Sequence, residues 1–234
     1  MTGYPRYAIY FAPEHGSALD RFGAHLLGYD AHDGAALPFP GDLGIADWRE
    51  LTQDPRKYGF HATLKAPISL AAGLSERELL AGCTAFARVP RAIPAFRPVV
   101  DSIDGFLAIV PAEAPAELGR LAADCVRDFD PFRAPLTAED RARRNPARLT
   151  PRQRDYLDRF GYPYAFEEFR FHMTLTGRLD ATRRPPILDM LRGRFNELAI
   201  AQLAVDNIAL FRQADAASQF RVIGQWTLAR AARA

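Results

Sequence analysis

One phrase occurs twice in the 234 residues, and it constrains the fold more than any other feature. His61-Ala62-Thr63-Leu64 lies within Tyr58–Lys65, and His172-Met173-Thr174-Leu175 lies within Phe169–Thr176. Both copies read Phe-His-x-Thr-Leu, and they stand 111 residues apart. Side chains of an extended strand alternate between its two faces. Phe60, Ala62 and Leu64 then share one face, with His61, Thr63 and Lys65 on the other. Phe171, Met173 and Leu175 likewise oppose Arg170, His172, Thr174 and Thr176. Each copy is expected to be a strand with an apolar back for a core and a front carrying histidine and threonine. One such strand is ordinary at a solvent-facing edge. Two with the same order of His and Thr imply that the fronts meet.

Two imidazoles facing each other across a cleft suit phosphoester chemistry. A neutral His takes a proton from a water or hydroxyl, and a protonated His gives one to the leaving oxygen. Histidine suits both tasks because its unperturbed pKa is about 6.5. Threonine hydroxyls two residues along can donate to non-bridging phosphate oxygens, while Lys65 and Arg170 can offset charge. The candidate catalysts are therefore His61, Thr63, His172 and Thr174. Lys65, Arg170, Thr176 and Tyr10 are candidate substrate contacts. This scheme calls for no metal and no cofactor.

Around the phrases, local signals define the elements. Tyr7–Ala12 is a first strand. Ser17 caps a helix that Gly28 stops. Residues 30–56, rich in Gly, Pro and Asp, are expected to be a long surface loop. The two phrase strands are expected over 58–66 and about 168–179. Ser75 and Glu78 make a capping box. Asp104-Gly105 joins two strands as a hairpin. An amphipathic helix follows, with Leu118, Leu121, Cys125, Val126 and Phe129 on one face. From Arg133 to Arg159 the chain turns dense in arginine, with helix starts at Thr137 and Thr150-Pro151. That run reads as a solvated helix face or as a lid whose guanidiniums reach a phosphorylated ligand, with Tyr162 and Tyr164 as candidate stacking rings. Pro185-Pro186 opens another helix, and strands are expected over 203–211 and 220–228. Asp206 and Arg212 share one face of the first of these. Residues 229–234 are expected to fray.

Composition narrows the classes. A formal charge of +2 implies no global attraction to nucleic acid or membrane. Two cysteines without a CxxC or Cys/His cluster point to buried thiols rather than a metal centre. No apolar stretch is long enough to span a bilayer, and no signal peptide is evident, so a cytoplasmic location is expected. His15, His25 and His32 are lone residues with surface or structural roles.

The paired His-x-Thr-Leu strands in two similar halves resemble the 2H phosphoesterase superfamily. Its members include RNA 2′,3′-cyclic phosphodiesterases, LigT-type 2′-5′ RNA ligases and plant cyclic phosphodiesterases acting on ADP-ribose 1″,2″-cyclic phosphate. The wider wording, Lys57 to Pro67 and Arg152 to Arg178, is similar to the branch associated with phosphonate metabolism (DUF1045). The resemblance implies an α+β, LigT-like fold of two pseudo-symmetric lobes, mainly antiparallel sheet with outer helices and a central cleft. It implies a single bilobal domain over 1–234, with halves near 1–130 and 165–230 that can exchange strands, and an Arg-rich helical insertion or lid over 133–164. It implies His61, Thr63, His172 and Thr174 as a catalytic tetrad. The expected activity is metal-independent hydrolysis of a cyclic phosphate on a small sugar or nucleotide by a monomeric protein. The alternatives are an RNA-end or nucleotide-binding module with little catalysis, and 2′-5′ RNA ligase-like end joining.

Overall fold

Local chemistry sets where the elements begin and end. The Ser17 hydroxyl accepts from Asp20 N at 3.2 Å, and Gly28 closes the helix with a φ of 67°. Ser75 with Glu78, and Thr150 with Gln153, form reciprocal capping boxes. Asp104 and Gly105 both have positive φ, 48° and 94°, as the primed hairpin turns require.

The computed structural model describes residues 3–231. Its strands are β1 (Arg6–Phe11), β2 (Tyr29–Asp30), β3 (Ala35–Ala36), β4 (Ala62–Ser69), β5 (Ala95–Phe96), β6 (Pro98–Ile103), β7 (Phe106–Pro111), β8 (Met173–Thr174), β9 (Leu203–Ala204), β10 (Asn207–Gln213) and β11 (Arg221–Thr227). Its α-helices are α1 (Ala18–Leu27), α2 (Trp48–Leu51), α3 (Gln53–Arg56), α4 (Glu76–Arg88), α5 (Ala116–Phe129), α6 (Ala138–Arg143), α7 (Pro151–Phe160) and α8 (Arg184–Asn196). The result is an α+β fold around one antiparallel sheet of seven strands, in the order β11-β10-β1-β4-β8-β7-β6. The pairs β2–β3 and β5–β9 form separate two-stranded ribbons.

The sheet divides at β4 and β8, which share a single paired position, Ala62 with Met173. On one side β4 pairs with β1, and β1 with β10 from the far end of the chain. On the other, β8 pairs with β7 from the first half. Each lobe is thus assembled from both halves of the sequence. The helices cross over as well: α4 packs on β10 and β11, and α8 on β6.

All six apolar residues of the two phrases (Phe60, Ala62, Leu64, Phe171, Met173 and Leu175) enter one core cluster. That cluster also takes Leu79 and Cys83 from α4, Leu118 and Cys125 from α5, and Leu191 from α8. Both cysteines are buried free thiols. A smaller cluster on the opposite face holds Ala8, Tyr10, Phe211 and Phe220.

Three expectations change. The segment 30–56 is not a structureless loop: it contains the β2–β3 ribbon, α2 and α3. It is anchored by buried Trp48, whose Nε1 donates to Leu26 O at 2.7 Å. The phrase strands are shifted or shortened. β4 starts only at Ala62, and β8 stops at Thr174 because the Leu175 and Thr176 amides converge on the Leu107 carbonyl. Of the tail expected to fray, Ala229 N donates to Ala87 O and Ala231 N to Arg91 O, at 2.7 and 2.9 Å. Residues 232–234 lie outside the described residues.

Met173 is fully buried at the one position where the lobes pair. Truncating a buried Met to Ala typically costs about 2–5 kcal/mol. Met173→Ala is expected to lower the unfolding free energy by about that amount, measured by denaturant titration.

Candidate active site

The single pairing of β4 with β8 fixes the geometry of the site. With Ala62 opposite Met173, the same antiparallel register sets His61 opposite Thr174 and Thr63 opposite His172. All four residues are half-buried, and none of them enters the main core cluster. A pseudo-two-fold axis runs through the Ala62–Met173 pair. The four residues line one cleft of about 370 Å³.

Each imidazole is oriented the same way. His61 Nδ1 lies 2.9 Å from Gly59 O, and His172 Nδ1 lies 2.7 Å from Arg170 O. A carbonyl only accepts, so each Nδ1 carries the proton and each neutral ring keeps a lone pair on Nε2. The Thr63 hydroxyl, 3.3 Å from His61 Nε2, then donates to it. Gly59 makes the first carbonyl available through a φ of 76°, and a Cβ there would lie 2.6 Å from the Ala31 Cβ. An aromatic ring from the neighbouring strand backs each imidazole. Tyr10 stacks on His61 at 3.8 Å between centroids, and Phe106 lies 5.5 Å from His172.

The two histidines differ electrostatically. Burial pushes His61 down to about 4, against the Gly59 carbonyl bond, and the neighbouring His172 lowers it further. Burial also lowers His172, but the Arg170 carbonyl and the Asp104 charge work the other way. His61 is the ring that stays neutral, and His172 the ring that holds a proton more readily. Burial also raises the Tyr10 phenol well above its usual value.

The other candidates divide. Tyr10 lines the cleft. Arg170 is exposed and lies on a second chamber of about 460 Å³, which shares His172, Tyr162 and Arg178 with the first. Lys65 is not in the cleft. It is 4% exposed, and its Nζ bonds Asp130 Oδ1 at 2.9 Å and Val126 O at 3.2 Å beside α5. The reason is a break in the pairing of β1 with β4 between Thr63 and Lys65, which interrupts the alternation that had placed Lys65 on the front. Thr176 lies in the cleft wall, but its hydroxyl accepts from Leu107 N and donates to Gly177 O, and the residue is fully buried. Asp206 and Arg212 do not pair with each other: Arg212 meets Glu76 at 3.4 Å, and Arg230 meets Asp206 at 4.0 Å.

Sequence reasoning missed Arg6, Tyr58, Phe106 and Arg178, all of which line the cleft; Arg144, from the run read as a solvated face or a lid, and Tyr162, named as a stacking candidate, line it too. Only a repeated motif marks a position as special, and none of the four missed residues belongs to the repeated Phe-His-x-Thr-Leu. His25 Nδ1 bonds Pro38 O at 3.2 Å, while exposed His15 and Asp33 gather with largely buried Asp30, and His32 stacks on His15. None of these lines the cleft.

Residues 63–221 match the family described as "Protein of unknown function (DUF1045)". The chain is 38% identical over 217 residues to the ribose 1,5-bisphosphate phosphokinase PhnN of Janthinobacterium sp. (strain Marseille), covering 89% of this chain and 47% of that protein. It is 33% identical over 217 residues to the protein of the same name from Laribacter hongkongensis (strain HLHK9), covering 93% and 50%. The chain thus spans about half the length of these relatives. Among solved structures, E. coli LigT complexed with NADP+ aligns over 97% of this chain and 98% of its own, at 15% identity and a TM-score of 0.45.

Because His61 titrates near 4 when folded and near 6.5 when unfolded, the unfolded chain binds more protons between those values. The stability contribution is complete above pH 6.5 and is lost as pH falls toward 4. The expected loss is about 2–3 kcal/mol, measured by denaturant titrations over that range. His61→Gln is expected to flatten the dependence.

Proposed function

We propose that this chain, which belongs to the DUF1045 family, is a two-histidine phosphodiesterase that opens a cyclic phosphate on a small sugar or nucleotide. The observation that carries this reading is the grouping of His61, Thr174, Thr63 and His172 in one cleft, with Nδ1 of each imidazole held by a carbonyl and Nε2 left as the nitrogen that can exchange a proton.

In this reaction the neutral His61 removes a proton from water at Nε2, and the water oxygen attacks phosphorus. The protonated His172 gives its Nε2 proton to the departing sugar oxygen as the P–O bond breaks. His61 ends protonated and His172 neutral, and exchange with solvent resets both. The Thr63 and Thr174 hydroxyls donate to the non-bridging oxygens, which gather charge as water adds. Role assignment follows the electrostatics: His61 is the ring most resistant to protonation, and the Asp104 charge favours the proton on His172. Both imidazoles together supply every proton transfer, so the proposal is metal-independent. The PhnN-named relatives support a place in phosphonate metabolism, and the phosphorylated ribose in their name supports a ribosyl ring as the sugar. A cleft of about 370 Å³ favours a small molecule over a long RNA strand.

His61→Ala and His172→Ala are each expected to lower kcat/KM about 100- to 10,000-fold, with melting temperatures showing that both variants fold. The assay is a panel of ribose cyclic phosphates, nucleoside cyclic phosphates and short RNAs with cyclic ends, run with and without chelator. Normal turnover by either variant would refute the mechanism, as would activity abolished by chelator. Tight, salt-sensitive binding of RNA ends without turnover would instead favour a binding module.

The free enzyme must hold His61 neutral and His172 protonated. The kcat/KM profile is therefore expected to rise above about pH 4 and to begin its fall at a pH below the ordinary imidazole value, because burial lowers His172. Bound anionic substrate raises both values, so the kcat profile is expected to fall at higher pH than the kcat/KM profile. A kcat/KM that climbs steadily from pH 5 to 8 would overturn the assignment.

A further inference from the structure

We infer that the cleft holds a second anion site, formed by Arg6 and Arg144, which takes a phosphomonoester carried by the substrate in addition to the reacting phosphate. The inference rests on the phosphodiesterase reading and narrows its substrates to cyclic phosphates with a separate terminal phosphate.

Charge balance leads to it. Arg6, Arg144 and Arg178 line the cleft against one carboxylate, Asp54, and the depressed pKa values leave both imidazoles largely neutral at pH 7. A cyclic phosphodiester brings one negative charge, which leaves the wall positive. A phosphomonoester brings a further charge of about −1.5 to −2 near neutral pH, which matches the excess.

The partners of each arginine sharpen the point. In the Arg-rich insertion, Arg141 is held by both oxygens of Asp158, at 2.6 and 3.0 Å. Arg143 bonds Glu139 at 2.7 Å and lies 3.6 Å from Asp140. Arg144, the next residue, meets no carboxylate among the described residues, and its guanidinium carbon sits 5.4 Å from the Tyr162 ring on the cleft wall. Its place at the C-terminus of α6 favours a positive charge but does not account for its reach into the cleft. Arg6 bonds a neutral group, the Gln213 amide oxygen, through Nε at 2.9 Å, and lies 5.5 Å from the Phe220 ring. That contact fixes the guanidinium without cancelling its charge.

Position separates this site from the chemistry. Arg6, Arg144 and Tyr58 line both the catalytic cleft and an adjoining cavity of about 560 Å³. His61 and His172 do not line that cavity, and Arg178 lines the chamber beyond His172 instead. Both Arg6 and Arg144 also bear on the buried Tyr10 phenol, favouring its ionised form. A terminal phosphate at Arg6 and Arg144 would anchor the substrate on the Tyr10 side while its cyclic phosphate meets the two imidazoles.

The test compares ribose 1,2-cyclic phosphate with its 5-phosphorylated form, and nucleoside 2′,3′-cyclic phosphates with and without a 5′-phosphate. The expected result is a preference of at least about tenfold in kcat/KM for the member with the extra phosphate of at least one pair, reduced about tenfold in Arg6→Gln and in Arg144→Gln. Arg144→Lys is expected to recover part of it. A second arm measures calorimetric binding of ribose 5-phosphate, which has no diester; the Arg6→Gln/Arg144→Gln double variant is expected to weaken it at least about tenfold. Equal kcat/KM within both pairs, or a preference untouched by the substitutions, would overturn the proposal. If no cyclic phosphate turns over, the diesterase reading fails, and the binding arm alone decides the anion site: loss of affinity in the double variant upholds it, and unchanged affinity sinks it.

Discussion

The site depends on one antiparallel register, that of β4 and β8. They pair at a single position, Ala62 with Met173. Because opposed residues in an antiparallel pair point to the same side, that one pairing sets His61 against Thr174 and Thr63 against His172. A slip of one residue in either strand would send its histidine to the core face. The register is held from behind, where Phe60, Ala62, Leu64, Phe171, Met173 and Leu175 all enter the core formed by α4, α5 and α8. The apolar back of each phrase is therefore the device that aims its polar front.

The second constraint is electrostatic. Each imidazole donates its Nδ1–H to the carbonyl two residues upstream, which leaves Nε2 as the nitrogen that accepts or carries a proton. Burial lowers both pKa values, more strongly at His61. Two rings related by a pseudo-two-fold axis thus acquire different proton affinities, and the difference comes from their surroundings. Tyr10 is stacked on one ring, while Asp104 biases the other.

Symmetry stops at the tetrad. The residue after each Leu of the phrase has left the front: Lys65 neutralises Asp130 beneath α5, and Thr176 spends its hydroxyl on backbone groups. The positive charge of the cleft comes instead from Arg6 at the start of β1, Arg178 beyond β8, and Arg144 from the Arg-rich segment between α5 and β8. The strand crossover contributes as well. Gln213, which positions Arg6, and Phe211 and Phe220, which pack around Tyr10, come from the far end of the chain.

The sequence by itself determined whatever depends on neighbours along the chain. Ser17, the Ser75–Glu78 box, the Thr150–Gln153 box and the Asp104-Gly105 turn are legible because caps and turns close over a few residues. The front-and-back division of the two phrases is legible because strand alternation has a fixed period of two. His61, Thr63, His172 and Thr174 are therefore legible as a set in the sequence, and all four line one cleft. Tertiary structure alone decided the rest. The break beside Lys65 reflects the fit of β4 against β1, and its partner Asp130 is 65 residues away. Arg6, Phe106 and Arg144 reach the cleft through strand order and helix packing between distant segments, and no local pattern encodes such distances. The unequal proton affinities of the two histidines were equally invisible, since desolvation depends on which atoms surround a ring after folding.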